Sequence, residues 1–125
     1  MTTTIEIDPA QGVAAIARQN DAFRKSIMFC NDTKDTPKGQ FVMTRGVMAL
    51  GPDARLAATK AVASFDAFTA DNDPYGTHEF GSVEVFGTAI WFKLDLYDVN
   101  YEYGAPDPSD PEQTRRVLSV LMSLV

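Results

Sequence analysis

Cysteine, histidine and long apolar runs are nearly missing from this chain, and each shortage removes a class of answer. Cys30 is alone, which excludes an intrachain disulfide framework and any cysteine-rich zinc site. His78 is the one histidine, thin material for a metal centre. No stretch approaches the roughly 18 consecutive apolar residues of a membrane span. Met1-Thr2-Thr3-Thr4-Ile5-Glu6 has neither the basic start nor the apolar core of a signal peptide, so a cytoplasmic protein with no membrane partner is expected. There is no P-loop, no dinucleotide glycine fingerprint and no basic-aromatic stripe. Direct nucleic-acid binding is therefore unsupported, and no cofactor is called for.

Positive charge is scarce in one region above all. Between Asp66 and Glu112 eleven carboxylates accompany a single base, Lys93, a formal charge of −10. The rest of the chain holds six acids and ten bases, +4, and the whole carries −6. A segment of this kind repels nucleic acid and attracts basic surfaces.

What is present is enough for one domain. The 125 residues are 45% apolar, sufficient to bury a core without disulfides or metal. Residues 1 to 7 read as an extended arm, and Asp8-Pro9 as the N-cap and first residue of a helix over about 9 to 28. Val13, Ile16, Asn20, Phe23 and Ile27 form its buried stripe, with Arg18, Arg24 and Lys25 off the stripe and solvated. Breaker-rich residues 31 to 39 form a loop, and Gln40 to Thr44 a short strand. Gly51-Pro52-Asp53 starts a second helix, to about 69, with Ala54, Ala58, Ala61, Val62, Phe65 and Phe68 on its apolar face.

Ser82 to Phe86 and Thr88 to Tyr97 flank Gly87 as a hairpin. Ile90, Phe92, Leu94 and Leu96 point to the core, while Trp91, Lys93, Asp95 and Tyr97 line the other face. After the irregular run Gly104 to Pro108, Ser109-Asp110-Pro111-Glu112 reads as a capping box. It opens a final helix over about 110 to 124 that buries Val117, Leu118, Leu121 and Leu124, with Arg115 and Arg116 near its outer start. The order α-β-α-β-β-α predicts an α+β fold, helices packed on a small, mostly antiparallel sheet.

The densest chemistry lies in residues 71 to 81. Asn72-Asp73-Pro74 and Gly76 mark a tight ordered loop, in which Asp71 or Asp73 caps the turn and Tyr75 and Phe80 serve as partly buried anchors. His78 with Asp71, Asp73 and Glu79 could form a metal site, and a small metal-dependent hydrolase centred on this loop is the alternative reading of function. Cys30, His78 and Asp95 occur in the chain order of some thiol enzymes, although a thiol at a helix C-terminus is not activated. Glu84 with Asp95 across the hairpin is a candidate carboxylate pair. Against these, the charge map favours a non-enzymatic binding protein. Asp95, Asp98 and Glu102 with Tyr97, Tyr101 and Tyr103 are its candidate partner-binding residues, and a basic protein surface its partner.

Several pieces together resemble a bacterial family, domain of unknown function 3768: Asn20-Asp21-Ala22-Phe23-Arg24, Thr44-Arg45-Gly46-Val47, Asp71-Asn72-Asp73-Pro74-Tyr75-Gly76, His78-Glu79-Phe80-Gly81, Trp91-Phe92-Lys93-Leu94-Asp95 with Tyr97-Asp98, and Pro106-Asp107-Pro108 with Asp110-Pro111. Thr77 stands where that family usually has Glu, and Glu79 where it has Asp. The resemblance implies a proteobacterial source, often on mobile elements, and no known activity. Accessory proteins of such elements frequently inhibit host defence, which makes the chain an anti-CRISPR candidate by context.

Overall fold

The computed structural model describes residues 9–29 and 34–122. The N-terminal arm, the Asp8 cap and Cys30 lie outside them. In chain order the elements are α1 (Pro9–Phe29), β1 (Gly39–Met43), α2 (Arg45–Met48), α3 (Pro52–Ser64), β2 (Phe80–Val85), β3 (Thr88–Tyr97) and β4 (Arg115–Met122). The strands lie in the order β1-β4-β3-β2. β1 runs parallel to β4, and the other two pairings are antiparallel. The fold is α+β, with a mostly antiparallel sheet as the patterning predicts.

The hairpin forms as expected. Phe86 and Gly87 make its two-residue turn with φ of 50° and 79°, both left-handed, which matches the twist of the flanking strands. Ile90, Phe92 and Leu94 point inward and are at most 3% exposed. They meet Val47, Ala58, Val62, Leu118 and Val120, all fully buried, to form the core between the sheet and the helices.

Several expectations fail. The element after residue 110 is a strand. Val117, Leu118, Leu121 and Leu124 satisfy a helical stripe, but an apolar run this short satisfies a strand equally well. β3 decides, because it offers a long free edge that β4 fills from Ile90↔Met122 to Tyr97↔Arg115. Arg116, Leu118 and Val120 then alternate inward, so Arg116 is fully buried. The supposed capping box is instead a local turn, with Asp110 Oδ1 accepting the Glu112 N–H at 3.0 Å.

α3 stops at Ser64 instead of near 69. Arg24 ends it, donating from Nη1 to the carbonyls of Val62 at 2.7 Å and Phe65 at 3.1 Å. Arg24 is therefore 1% exposed, not solvated, because α1 packs against α3 as well as the sheet and its buried stripe widens. Arg18 and Lys25 are exposed, and Asn20 and Phe23 are buried, as expected. Tyr75, expected to anchor its loop, is 81% exposed. Gly76 behind it sits against Val13 of α1 instead.

Candidate functional site

The loop from Phe65 to Glu79 is built on reciprocal bonds. Asn72 Oδ1 accepts the Thr69 N–H at 2.8 Å and Asn72 Nδ2 donates to the Ala67 carbonyl at 2.9 Å. Asp73 Oδ1 accepts the His78 N–H at 3.2 Å, the turn-capping role expected of it. Asp71 is exposed. Gly76 and His78 both have positive φ, 71° and 59°, which swings the imidazole back under the loop.

The ring of His78 is held on one face and at both nitrogen-bearing edges. It stacks on Phe68 at 3.9 Å with the planes 4° apart. Nδ1 lies 3.0 Å from both carboxylate oxygens of Asp21, and Nε2 lies 3.7 Å from Asp73 Oδ2. Asp21 also pairs with Arg24, whose guanidinium lies 5.3 Å from the Phe68 ring centre and 5.2 Å from that of Phe92. An open cleft of about 320 Å³ lies beside this cluster, lined by Arg24, Lys25, Phe65, Asp66, Phe68 and His78 among others.

This is not the constellation the loop sequence offers. The two aspartates sit at opposite edges of the imidazole, so the three groups do not converge on one point. Among the described residues no group of three His, Cys, Asp or Glu side chains is placed to hold a metal ion. The fold brings Asp73 to His78 but replaces Asp71 and Glu79 with Asp21, some 57 residues earlier in the chain. Asp95, the orienting acid of the thiol-enzyme reading, pairs with Lys93 at 3.3 Å instead. Glu84 stands opposite Ala89, so it does not face Asp95 across the hairpin.

Glu79 turns the other way, toward a buried polar chain that sequence reasoning missed. Arg116 donates from Nε to Asn20 Oδ1 at 2.7 Å and from Nη2 to Gln19 Oε1 at 3.0 Å. Asn20 Nδ2 in turn donates to the Thr77 carbonyl at 2.8 Å. Burial pushes Arg116 down to about 10, opposed by the nearby Glu79 carboxylate. Burial also raises the Glu79 carboxyl, against a hydrogen bond from Thr77, with Asp73 and Asp95 adding to the rise. The only sequence signal was Asn20, a polar residue on an apolar stripe.

Nine of the eleven acids of the segment fall into two populations, apart from half-buried Glu79 and from Asp95, which pairs with Lys93. Asp73, Asp98, Asp107 and Asp110 accept backbone N–H groups of their own turns. Asp66, Asp71, Glu84, Glu102 and Glu112 are exposed. Among the candidate binding residues, Asp95 and Tyr97 lie on β3, and the other four on the loop that follows. That loop closes on an isolated bridge, Tyr97↔Gly104. Asp98 fixes it, with Oδ1 accepting from the N–H groups of Asn100 at 3.1 Å and Glu102 at 3.0 Å, and its own N–H donating to the Tyr103 carbonyl at 2.8 Å. Tyr101 takes a left-handed φ of 58°, its ring centre 6.5 Å from that of Tyr97, and Tyr103 is left 73% exposed beside exposed Glu102.

These features define a small two-layer α+β protein with a buried polar spine and a hydrogen-bonded acidic loop bearing tyrosines. The chain belongs to the family described as protein of unknown function (DUF3768), whose sequence model matches residues 43–124. The match runs from the end of β1 through β4 and leaves out α1, the source of Asn20, Asp21 and Arg24. No curated protein and no solved structure matches the chain. No helix among the described residues is long and apolar enough to cross a membrane.

Proposed function

We propose that this is a binding protein that uses the 98–103 loop to dock on a basic protein surface. The observation that carries the reading is the exposure of Tyr103 and Glu102 side by side on a loop that Asp98 holds by hydrogen bonds. A loop locked by Asp98 loses little entropy on binding, tyrosine supplies buried contact area, and the acid sets the sign of the partner. A basic surface that otherwise holds nucleic-acid phosphates fits that sign. In a mobile-element setting the reading extends to inhibition of a host defence effector in the cytoplasm.

The test is competition. Basic nucleic-acid-binding proteins captured by the immobilised chain at low salt should be displaced by duplex DNA and by raising salt until the screening length falls from about 10 Å to about 3 Å. Glu102→Lys should slow association, and Tyr103→Ala should speed dissociation. Captured proteins that resist DNA, or that bind the Glu102→Lys, Tyr103→Ala double variant equally well, would sink the reading.

A further inference from the structure

Among the described residues, the helices pack on one face of the sheet. On the other face, register brings together Phe80, Ser82 and Glu84 of β2, Trp91, Lys93, Asp95 and Tyr97 of β3, Arg115, Val117, Ser119 and Leu121 of β4, and Gln40 and Val42 of β1. None of these is buried. The face carries exposed apolar groups on both edge strands: Phe80 is 41% exposed and packs edge-on against Trp91 at 5.4 Å, and Val42 is 43% exposed. Lys93 and Asp95 lie near its centre, 3.3 Å apart, with side chains 50% and 43% exposed.

We infer that this open face binds a second copy of the chain. Charge is the first argument. Each molecule carries −6, so two copies repel over most approaches. The open face is neutral, with Lys93 and Arg115 balancing Glu84 and Asp95. It is also self-complementary, because a two-fold axis near its centre sets Lys93 of one copy against Asp95 of the second and meets the symmetry rule for a dimer.

Area is the second argument. Four strands about 4.8 Å apart and eight residues of β4 at about 3.3 Å each give roughly 500 Å² per copy, or roughly 1,000 Å² in total, the lower bound of a specific interface. Face-to-face packing of two such sheets interdigitates their side chains as in a sandwich. The dimer is therefore weak and reversible. It does not depend on the acidic-loop reading, since Tyr103 and Glu102 lie on the loop beyond the end of β3.

Trp91 is the only tryptophan, so its emission reports on this face directly. In sedimentation equilibrium across a wide concentration range the full chain should pass from monomer to dimer, with the Trp91 emission shifting to the blue in step with mass. Lys93→Asp should raise the dissociation constant at least about tenfold by placing acids against acids, and Lys93→Asp with Asp95→Lys should return it to within about threefold of the parent. Both side chains are half in solvent, so the fold survives, and circular dichroism checks that it does. A chain that stays monomeric, a blue-shifted Trp91 in the monomer, or a dimer indifferent to Lys93→Asp overturns the inference.

Discussion

Arg116 of the last strand donates its Nε–H to Asn20 of the first helix at 2.7 Å, closing the fold across 96 residues of sequence. Both side chains are fully buried. Removing Asn20 leaves the buried Nε–H of Arg116 without its acceptor while Nη2 keeps Gln19, so Asn20→Ala should destabilise by about 1–3 kcal/mol. Replacing both, as Asn20→Leu with Arg116→Met, should cost clearly less than the two single changes added together. A double-mutant cycle by urea denaturation measures the coupling.

Glu79 gives the protein a pH dependence of defined sign. Its folded-state carboxyl titrates above the ordinary 4.5, chiefly because it is partly buried. The native state thus holds that proton more tightly than the unfolded chain. The stabilisation is full below pH 4.5 and is lost as pH rises through the raised value. Glu79→Gln removes this loss, so the variant should gain on the parent as pH climbs from about 4 toward neutrality. Parallel denaturation curves that keep a constant separation over that range would refute the assignment. Arg116 behaves oppositely at the alkaline end: its depressed folded value means that the cost of its buried charge is relieved only as pH rises through about 10.

Asp98 and Glu102 are both acids of the proposed binding loop, yet they should respond differently. Asp98 Oδ1 satisfies two backbone N–H groups, and Asp98→Ala should lower stability by about 1–2 kcal/mol. Amide exchange at Asn100 and Glu102 should quicken with it. Glu102→Lys touches no such bond and should leave the melting temperature unchanged. Association should slow in both variants, through loop disorder in one and through charge in the other.

Gly81 is required by close packing. A Cβ at this position would lie 2.3 Å and 2.5 Å from ring atoms of Phe92 and 3.0 Å from Phe65. Phe92 is fully buried, so the ring has little room to yield. Gly81→Ala should cost about 1–3 kcal/mol by overpacking, and Gly81→Ala with Phe92→Leu should recover part of it. Thermal melts of the three proteins decide.

The hairpin was legible in the residues because its signals are local: period-two alternation in Thr88 to Tyr97 and a glycine at the turn. So was the helix start at Pro52, where proline fixes φ and lacks only a donor that a first turn cannot use. The acidic charge of the 66–112 segment is pure composition. Tertiary structure decided the rest. Arg115 to Met122 is a strand because β3 offers an edge to pair with, and no local preference in that run competes strongly enough to prevent it. Arg24 and Arg116 are buried because elements far away in sequence give them partners, the carbonyls at the end of α3 for Arg24 and the Gln19 and Asn20 side chains of α1 for Arg116, and long side chains follow their hydrogen bonds. For the same reason the partner of His78 is Asp21 and not its neighbours at 71 and 79. A loop's own sequence sets which turns it can make, but only the element packed beneath it determines what its side chains meet.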